Sequence, residues 1–160
     1  MKLTPSLHPF GQECREIGYF PNATIDEYGV YRLSDGDVVT RVKAEIYTRG
    51  PVAAAVNGKA LHEYKGGVFD DDEASQETTH IVSLIGWNMT ESGGEYWIGR
   101  NSWGEYWGEM GFFRIAMGKN MLGIEEHVTW ATPGVYTAQN FPCFEDGKNC
   151  APQSSVMLNG

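Results

Sequence analysis

The sequence predicts an α+β fold in which one main helix precedes about six short antiparallel strands that form a partly closed barrel. Val39, Val42 and Ile46 recur at the spacing of one helix face. Downstream, short apolar runs alternate with glycine-rich or acidic turns, a pattern typical of antiparallel strands. The chain has 160 residues, which is enough for one domain with a substantial hydrophobic core.

The predicted elements divide the chain into three parts. Residues 1–36 contain three prolines and no sustained periodicity, so we expect an irregular segment. Residues 37–131 begin with the helix, which is preceded by capping side chains at 34–37 and ends at Gly50-Pro51. Strands are predicted for PVAAAV, YKGGVF, HIVSLIGW, EYWIGRN, GFFRIA and EEHVTWA. Residues 132–160 form a predicted C-terminal extension.

Charge and hydropathy argue against two classes of partner. The formal net charge of -9 disfavours binding to a nucleic-acid backbone or an anionic membrane surface. The sequence contains no run of roughly 18 apolar residues, and its first residues lack an apolar stretch of signal-peptide length. We therefore expect neither a nucleic-acid nor a membrane partner.

The cysteines and two N-glycosylation sequons favour an oxidising compartment. Cys143 and Cys150 enclose a short polar loop that a disulfide could close, while Cys14 lies far upstream. The sequons are Asn22-Ala23-Thr24 and Asn88-Met89-Thr90. Because the first residues do not resemble a signal peptide, one interpretation is that an upstream segment is missing from this chain.

One of the four histidines is a candidate for chemistry. His80 opens the apolar run HIVSLIGW, where a polar ring needs a hydrogen-bond partner. A predicted hairpin places Asn101 near it, and the Asn101 side-chain oxygen could orient the imidazole towards a nucleophile. The alternative is a hydrogen-bonded core histidine without catalytic function. The other histidines are predicted to be structural or exposed: His8, His62 and His127.

Large aromatic residues and glycines surround Asn101 in the segment RNSWGEYWGEMGFFRI, residues 100–115. Trp103 follows two positions later, on the same face if the strand continues, and its indole is suited to cover His80 and exclude water. The glycine after each tryptophan permits sharp turns, so that Trp107 can form one wall of a cleft. The alternative is a glycine-rich turn filled with core aromatic residues.

Several segments resemble papain-like cysteine peptidases. NSWGEYWGEMGFFRI, preceded by EYWIGR, closely resembles the family's Asn-Ser-Trp-Gly-x-x-Trp-Gly-x-x-Gly segment. THIVSLIGW resembles its His-bearing strand, GPVAAAV its Gly-Pro-Val strand, and HEYKGGVF its Tyr-x-x-Gly-Ile segment. The resemblance covers roughly residues 37 to 130. It implies the C-terminal, barrel-like half of the papain-like fold.

The resemblance implies a role for each matching residue. His80 would be the catalytic base that activates a cysteine thiol, and Asn101 would orient it. Trp103 would shield this pair, and Trp107 would wall the leaving-group side of the cleft. The pocket for the substrate side chain second from the cut would be lined by Ala55, Thr78 and Ile81. The implied substrate is a peptide or protein, with no cofactor and no metal.

The sequence departs from the family pattern in ways that affect activity. The Cys-Gly-Ser-Cys-Trp segment that carries the nucleophile, and the preceding glutamine of the oxyanion hole, do not occur in it. Cys14 has different neighbours and resembles a family disulfide cysteine whose partner would lie upstream. Thr79 stands where relatives often place Asn or Asp. We therefore predict that a missing N-terminal half carries the nucleophile and that this chain alone is inactive.

Two other interpretations remain at this point. One is a non-catalytic scaffold that binds peptides or proteins in the former cleft. The other is an unrelated all-β domain, which would require the spacing of His80, Asn101, Trp103 and Trp107 to be accidental. For the full-length family member, the resemblance implies a lysosomal or extracellular location.

Overall fold

The computed structural model describes residues 23–136, and this part of the chain contains seven strands and two α-helices. The helices are α1 (Val38–Arg49) and α2 (Gly58–His62). The strands are β1 (Ala23–Arg32), β2 (Val52–Val56), β3 (Val68–Phe69), β4 (His80–Met89), β5 (Glu95–Arg100), β6 (Phe112–Ala116) and β7 (His127–Tyr136). Single 3-10 turns occupy Leu33–Asp35 and Met121–Gly123. His8 and all three cysteines lie outside the described residues.

The chain divides into two units. One is Tyr28–Thr132, which contains both helices and the candidate site. The other combines the two chain ends, Met1–Glu27 and Pro133–Gly160. Within that second unit, Gly134 lies so close to Thr24 that an added Cβ would come 2.9 Å from the threonine hydroxyl.

The seven strands form an open sheet in the order β1-β7-β2-β4-β5-β6-β3. The pairs β2–β4, β2–β7, β4–β5 and β5–β6 are antiparallel, whereas β3 pairs with β6 in parallel. The predicted α+β class is confirmed. The sheet does not close, however, and the parallel pair was not expected. Because β3 is two residues long, its own sequence carries too little pattern to predict its direction.

Helix α1 agrees with the prediction at both ends. Asp37 accepts a hydrogen bond from the Thr40 backbone N–H at 3.3 Å, which satisfies one of the free donors of the first turn. The helix ends where Gly50 adopts a φ of 104°. Its buried face consists of Val38, Val42, Glu45 and Ile46. This face packs against β2 and β4.

Two elements differ from the sequence expectations. Strand β1 lies in the segment expected to be irregular, where β-type residues are interrupted by charged residues and Gly29. It forms at the edge of the sheet beside β7, so a long-range arrangement overrides a weak local pattern. Helix α2 spans five residues and is capped by Asn57, whose side chain accepts from the N–H groups of Lys59 and Ala60. It is too short to produce a helical period in the sequence.

The core between α1 and the sheet is closed by aromatic packing. Trp97 on β5 and Phe113 on β6 are completely buried. Phe113 lies directly over Gly99, where an added Cβ would come 2.0 Å from the ring. The Trp97 indole N–H donates to the buried Glu125 carboxylate at 2.9 Å. Glu125 also accepts backbone N–H groups from Gly118 and Asn120, so both of its carboxyl oxygens have hydrogen-bond partners.

Candidate active site

The candidate site forms where β4 begins and β5 ends. Ser83 pairs with Arg100 in the antiparallel register, so His80, at the start of β4, approaches Asn101, which follows β5. His80 Nε2 lies 2.9 Å from Asn101 Oδ1. Asn101 is 7% exposed, which keeps this hydrogen bond away from bulk water. The structure therefore brings the two predicted catalytic residues into direct contact.

A second contact determines the direction of this hydrogen bond. Asn101 Oδ1 also accepts from the Ser102 backbone N–H at 2.8 Å. An N–H can only donate, so this atom of Asn101 is the oxygen and His80 Nε2 must carry the donated proton. In the neutral imidazole the other nitrogen, Nδ1, is then free to accept a proton. This is the tautomer required of a base oriented by an amide.

The two tryptophans lie beside this pair. Trp103 stacks on His80, with a centroid distance of 4.8 Å and an interplanar angle of 23°. Trp107 meets Trp103 edge-on at 5.2 Å and contacts Phe113 of the core at 6.1 Å. Trp103 is 38% exposed, because one face covers the imidazole while the other remains open. A continuous aromatic series thus connects the core to His80.

Two open pockets flank His80. The residues predicted to line a substrate pocket do share one, of about 550 Å³, which is lined by Ala55, Thr78, Thr79, His80 and Ile81. The second, of about 480 Å³, is lined by Gly58, Lys59, His62, Glu63, Thr79, His80 and Trp103. Apart from His80, the first pocket is lined by side chains without ionisable groups, whereas the second includes Lys59, His62 and Glu63 on and just after α2. A chain crossing His80 would meet different chemistry on each side.

Sequence reasoning did not single out Gly58 as a residue of the site. A Cβ at Gly58 would lie 2.8 Å from the His80 Cβ, so only glycine allows α2 to start this close to the imidazole. The Gly58 N–H donates to Thr79 Oγ1 at 3.1 Å, which gives the unusual threonine beside His80 a structural partner. His62, predicted to be structural or exposed, is exposed and its ring lies 6.0 Å from Trp103. No local pattern in the sequence marks these contacts, because α2 and β4 are distant along the chain.

Two buried N–H groups at the site have no acceptor among the described residues. They are Asn101 Nδ2 and Trp107 Nε1. Buried donors are rarely left unpaired in native proteins. Each therefore requires an acceptor from water or from a chain segment outside residues 23–136.

The described residues contain no group of three or more His, Cys, Asp or Glu side chains arranged to hold a metal ion. Neither helix in this range has the length and apolar character needed to cross a bilayer. Of the two sequons, Asn88 lies exposed on β4, and Asn22 is outside the described residues.

Comparison with known proteins identifies the class to which this fold and site belong. The sequence model of the family described as "Papain family cysteine protease" matches residues 10–132. The chain belongs to the papain family of cysteine proteases, as the motifs around His80 and Asn101 indicate.

Individual relatives cover the same region. Cathepsin Z of Onchocerca volvulus is 41% identical over 122 residues, which are 69% of this chain and 40% of the relative. A gut-specific cysteine proteinase of Caenorhabditis elegans is 44% identical over 102 residues, covering 63% of this chain and 31% of the relative. The chain thus spans well under half the length of these relatives. The segments AEIYTRGP and IEEHVTW resemble the cathepsin X (cathepsin Z) branch.

Solved structures show the same fold. Digestive procathepsin L2 from Tenebrio molitor larval midgut superposes with a TM-score of 0.59 at 31% identity, over 68% of this chain and 34% of that one. The bromelain protease of Ananas comosus, solved in complex with the E64 inhibitor, gives a TM-score of 0.56 at 30% identity. It covers 68% of this chain and 50% of its own.

Proposed function

We propose that this chain supplies the base side of a cysteine peptidase active site and that another segment carries the nucleophilic thiol. The observation that supports this most directly is the 2.9 Å contact between His80 Nε2 and Asn101 Oδ1, which leaves Nδ1 as the ring nitrogen available to accept a proton. The stacked Trp103 reduces the access of water to this contact. The papain-family match supports the reaction class.

In the proposed reaction, His80 Nδ1 accepts the thiol proton, and the resulting thiolate attacks the carbonyl carbon of the scissile peptide bond. The C–N bond then breaks, the leaving amine takes the proton from His80, and an acyl-thioester remains. Water, deprotonated by His80, hydrolyses the thioester and regenerates the thiol. Asn101 keeps the imidazole in one orientation through both proton transfers.

The pocket lined by Ala55, Thr78 and Ile81 is the proposed site for the substrate side chain second from the cut. Its surface is contributed by the buried Ala55 methyl, the half-buried Thr78 and Ile81, which is 62% exposed. Exposed isoleucine at an open pocket favours an apolar substrate side chain. Trp107 is the proposed wall of the leaving-group side, and Trp103 is proposed to shield His80 and Asn101.

The proposal also includes a partner segment and a cellular setting. The unpaired buried donors Asn101 Nδ2 and Trp107 Nε1 support completion of the site by groups from outside the described residues. A lysosomal or extracellular setting fits the sequons, and the exposed Asn88 is sterically open to glycosylation. A disulfide between Cys143 and Cys150 would form in the same setting.

The proposal is tested by reconstitution. The purified 160-residue chain is assayed for peptide cleavage alone and after combination with a segment that carries the family's Cys-Gly-Ser-Cys-Trp motif. We expect turnover only in the combination. In that form His80→Ala should lower kcat by about 100-fold or more, since a general base is lost. Asn101→Ala should lower it by roughly 10- to 100-fold, since only the orientation of the base is lost.

The matched control is His127→Ala. His127 is an exposed histidine on β7 and does not line either pocket beside His80. Its removal should leave kcat unchanged. Turnover by the isolated chain, blocked by a thiol-reactive peptidyl epoxide, would contradict the need for a second segment. Peptide binding without turnover in the combined form would instead establish a non-catalytic binding scaffold.

A further inference from the structure

A group of hydrogen bonds holds the turn that follows Trp107. The Glu109 carboxylate accepts from Arg114 Nε at 2.9 Å through Oε2, and its Oε1 accepts from Arg114 Nη2. Oε1 also accepts the backbone N–H of Gly67 at 2.9 Å. This ion pair is bidentate and partly buried, with about a third of each side chain exposed. Such geometry restricts motion more than a single-contact surface pair does.

Tyr64 connects the backbone at Gly67 to strand β6 and packs beside Trp107. Its hydroxyl donates to the Gly67 carbonyl at 2.6 Å and accepts from the Arg114 backbone N–H at 3.1 Å. The residue is 5% exposed, and its ring lies 5.6 Å from the Trp107 indole. We call Tyr64, Gly67, Glu109 and Arg114 the Glu109 cluster.

The turn itself leaves little space for adjustment. Gly108 has a φ of 57°, and an added Cβ would come 2.7 Å from the Phe112 carbonyl and 3.2 Å from the Tyr64 ring. The Glu109 N–H donates to the Phe112 carbonyl, and the Gly111 N–H donates to the Trp107 carbonyl. The Glu109 cluster therefore restrains the backbone directly next to Trp107.

From this turn, contacts continue to the candidate base. Trp107 meets Trp103 edge-on, and Trp103 stacks on His80. No residue of the Glu109 cluster lines either pocket beside His80. The ring contacts that link the cluster to His80 run from Tyr64 through Trp107 and Trp103.

We propose that Glu109 and Tyr64 are positioning residues, which hold Trp107 and thereby keep Trp103 stacked on His80, an inference that rests on the proposed function of His80 as base. The charge of Glu109 is required because only a carboxylate can accept both Arg114 donors together with the Gly67 N–H. Arg114 depresses the pKa of Glu109 through their hydrogen bonds, so the carboxylate is charged at neutral pH.

The first test measures the stacking of Trp103 on His80 in the 160-residue chain itself. Protons of a ring stacked on an indole are shielded, so the His80 ring protons resonate upfield of an exposed histidine. We expect Glu109→Gln to move these resonances downfield at a temperature where the variant is fully folded. Tyr64→Phe removes only a hydroxyl and should give a smaller shift in the same direction. This milder variant keeps the test valid if Glu109→Gln does not fold.

The control is another ion pair of the same sheet. Glu95 on β5 pairs with Lys43 at 2.7 Å, and the ring contacts of Trp103 and Trp107 among the described residues involve neither residue of this pair. Glu95→Gln therefore removes a charge and an ion pair without changing the support of Trp107. It should leave the His80 ring-proton resonances in place.

The second test measures turnover in the reconstituted form. Because no residue of the Glu109 cluster lines the pocket formed by Ala55, Thr78 and Ile81, Glu109→Gln should lower kcat about 10-fold and change KM by a smaller factor. Glu95→Gln should change neither constant. If the cluster serves stability alone, Glu109→Gln should lower the melting temperature but leave both kcat and the His80 resonances of the folded protein unchanged.

These outcomes separate the two proposals. If Glu109→Gln and Tyr64→Phe shift the His80 resonances no more than the control Glu95→Gln does, the proposed positioning role is wrong, whatever the activity of the assembly. If the unaltered assembly does not cleave peptides but the resonances shift as expected, the cluster does hold Trp103 on His80, and the proposed peptidase function has failed.

Discussion

Asn101 Oδ1 decides which nitrogen of His80 carries a proton, because it also accepts the Ser102 N–H. A side-chain amide alone could point either way, and the backbone contact removes that ambiguity. Gly58 approaches the His80 side chain closely at its Cβ, and the Gly58 N–H donates to the neighbouring Thr79 Oγ1. The geometry of the candidate site is thus determined as much by backbone groups as by the side chains of His80 and Asn101.

Gly99 leaves the space in which the Phe113 ring packs. An alanine there would place its Cβ 2.0 Å from Phe113, which is fully buried and cannot move aside without disturbing its neighbours. We expect Gly99→Ala to lower the free energy of unfolding by about 1–3 kcal/mol. Gly86→Ala is the matched control, because a Cβ at Gly86 meets no atom within 4 Å. Urea unfolding of both variants checks this, and equal losses would contradict it.

Among the elements, strands β4 and β5 and the loop after β5 have the largest effect on the site. The register of the two strands brings His80 to Asn101. The following loop folds back on itself, since the Asn101 N–H donates to the Gly111 carbonyl at 2.9 Å. This closure returns the chain to β6 and places both tryptophans on the imidazole side. The glycines in the loop permit its positive φ angles.

The first turn of helix α1 depends on its N-cap residue, Asp37. Asp37 caps the helix through Thr40 and has a φ of 34°, a conformation that asparagine tolerates better than alanine. Asp37→Ala should therefore cost about 1–2 kcal/mol of stability, from the lost cap and the strained backbone. Asp37→Asn keeps the acceptor and should cost much less. Thermal unfolding followed by circular dichroism compares them, and equal melting temperatures would exclude a capping role.

At the scale of the whole molecule, two acidic residues in partly buried ion pairs link stability to pH. Arg49 depresses the pKa of Glu45 through hydrogen bonding, and the Tyr31 hydroxyl donates to the same carboxylate at 2.9 Å. Arg114 does the same for Glu109. Both carboxylates are therefore more acidic in the folded than in the unfolded chain.

The lowered pKa values of Glu45 and Glu109 determine how the stability of the protein changes with pH. A lowered pKa contributes stability above the ordinary glutamate value of 4.5, and that contribution is lost as the pH falls through the folded-state pKa. The free energy of unfolding should therefore decrease below about pH 4.5. Glu109→Gln removes one of the two groups, so its stability should depend less steeply on acid. Urea unfolding between pH 7 and pH 3 measures both slopes, and identical slopes would show that Glu109 is not linked to folding.

Local patterns are enough to predict α1 and the strands β2, β4, β5 and β6, each to within two residues at both ends. The sequence also contains the characteristic spacing of His80, Asn101, Trp103 and Trp107. Each depends on periodicity, capping or a short motif, all of which lie within one stretch of chain. The family follows from the same motifs and is confirmed by the match over residues 10–132.

The tertiary structure decided the rest. The open sheet, the parallel β3–β6 pair and the edge strand β1 depend on which strands meet, and that choice depends on packing between distant segments. The approach of Gly58 to His80, the contact between Tyr64 and Trp107 and the hydrogen bond from Gly67 to Glu109 join segments more than 20 residues apart. Side-chain contacts of this kind leave no periodic signal, because the free energy that selects them arises only when the core forms.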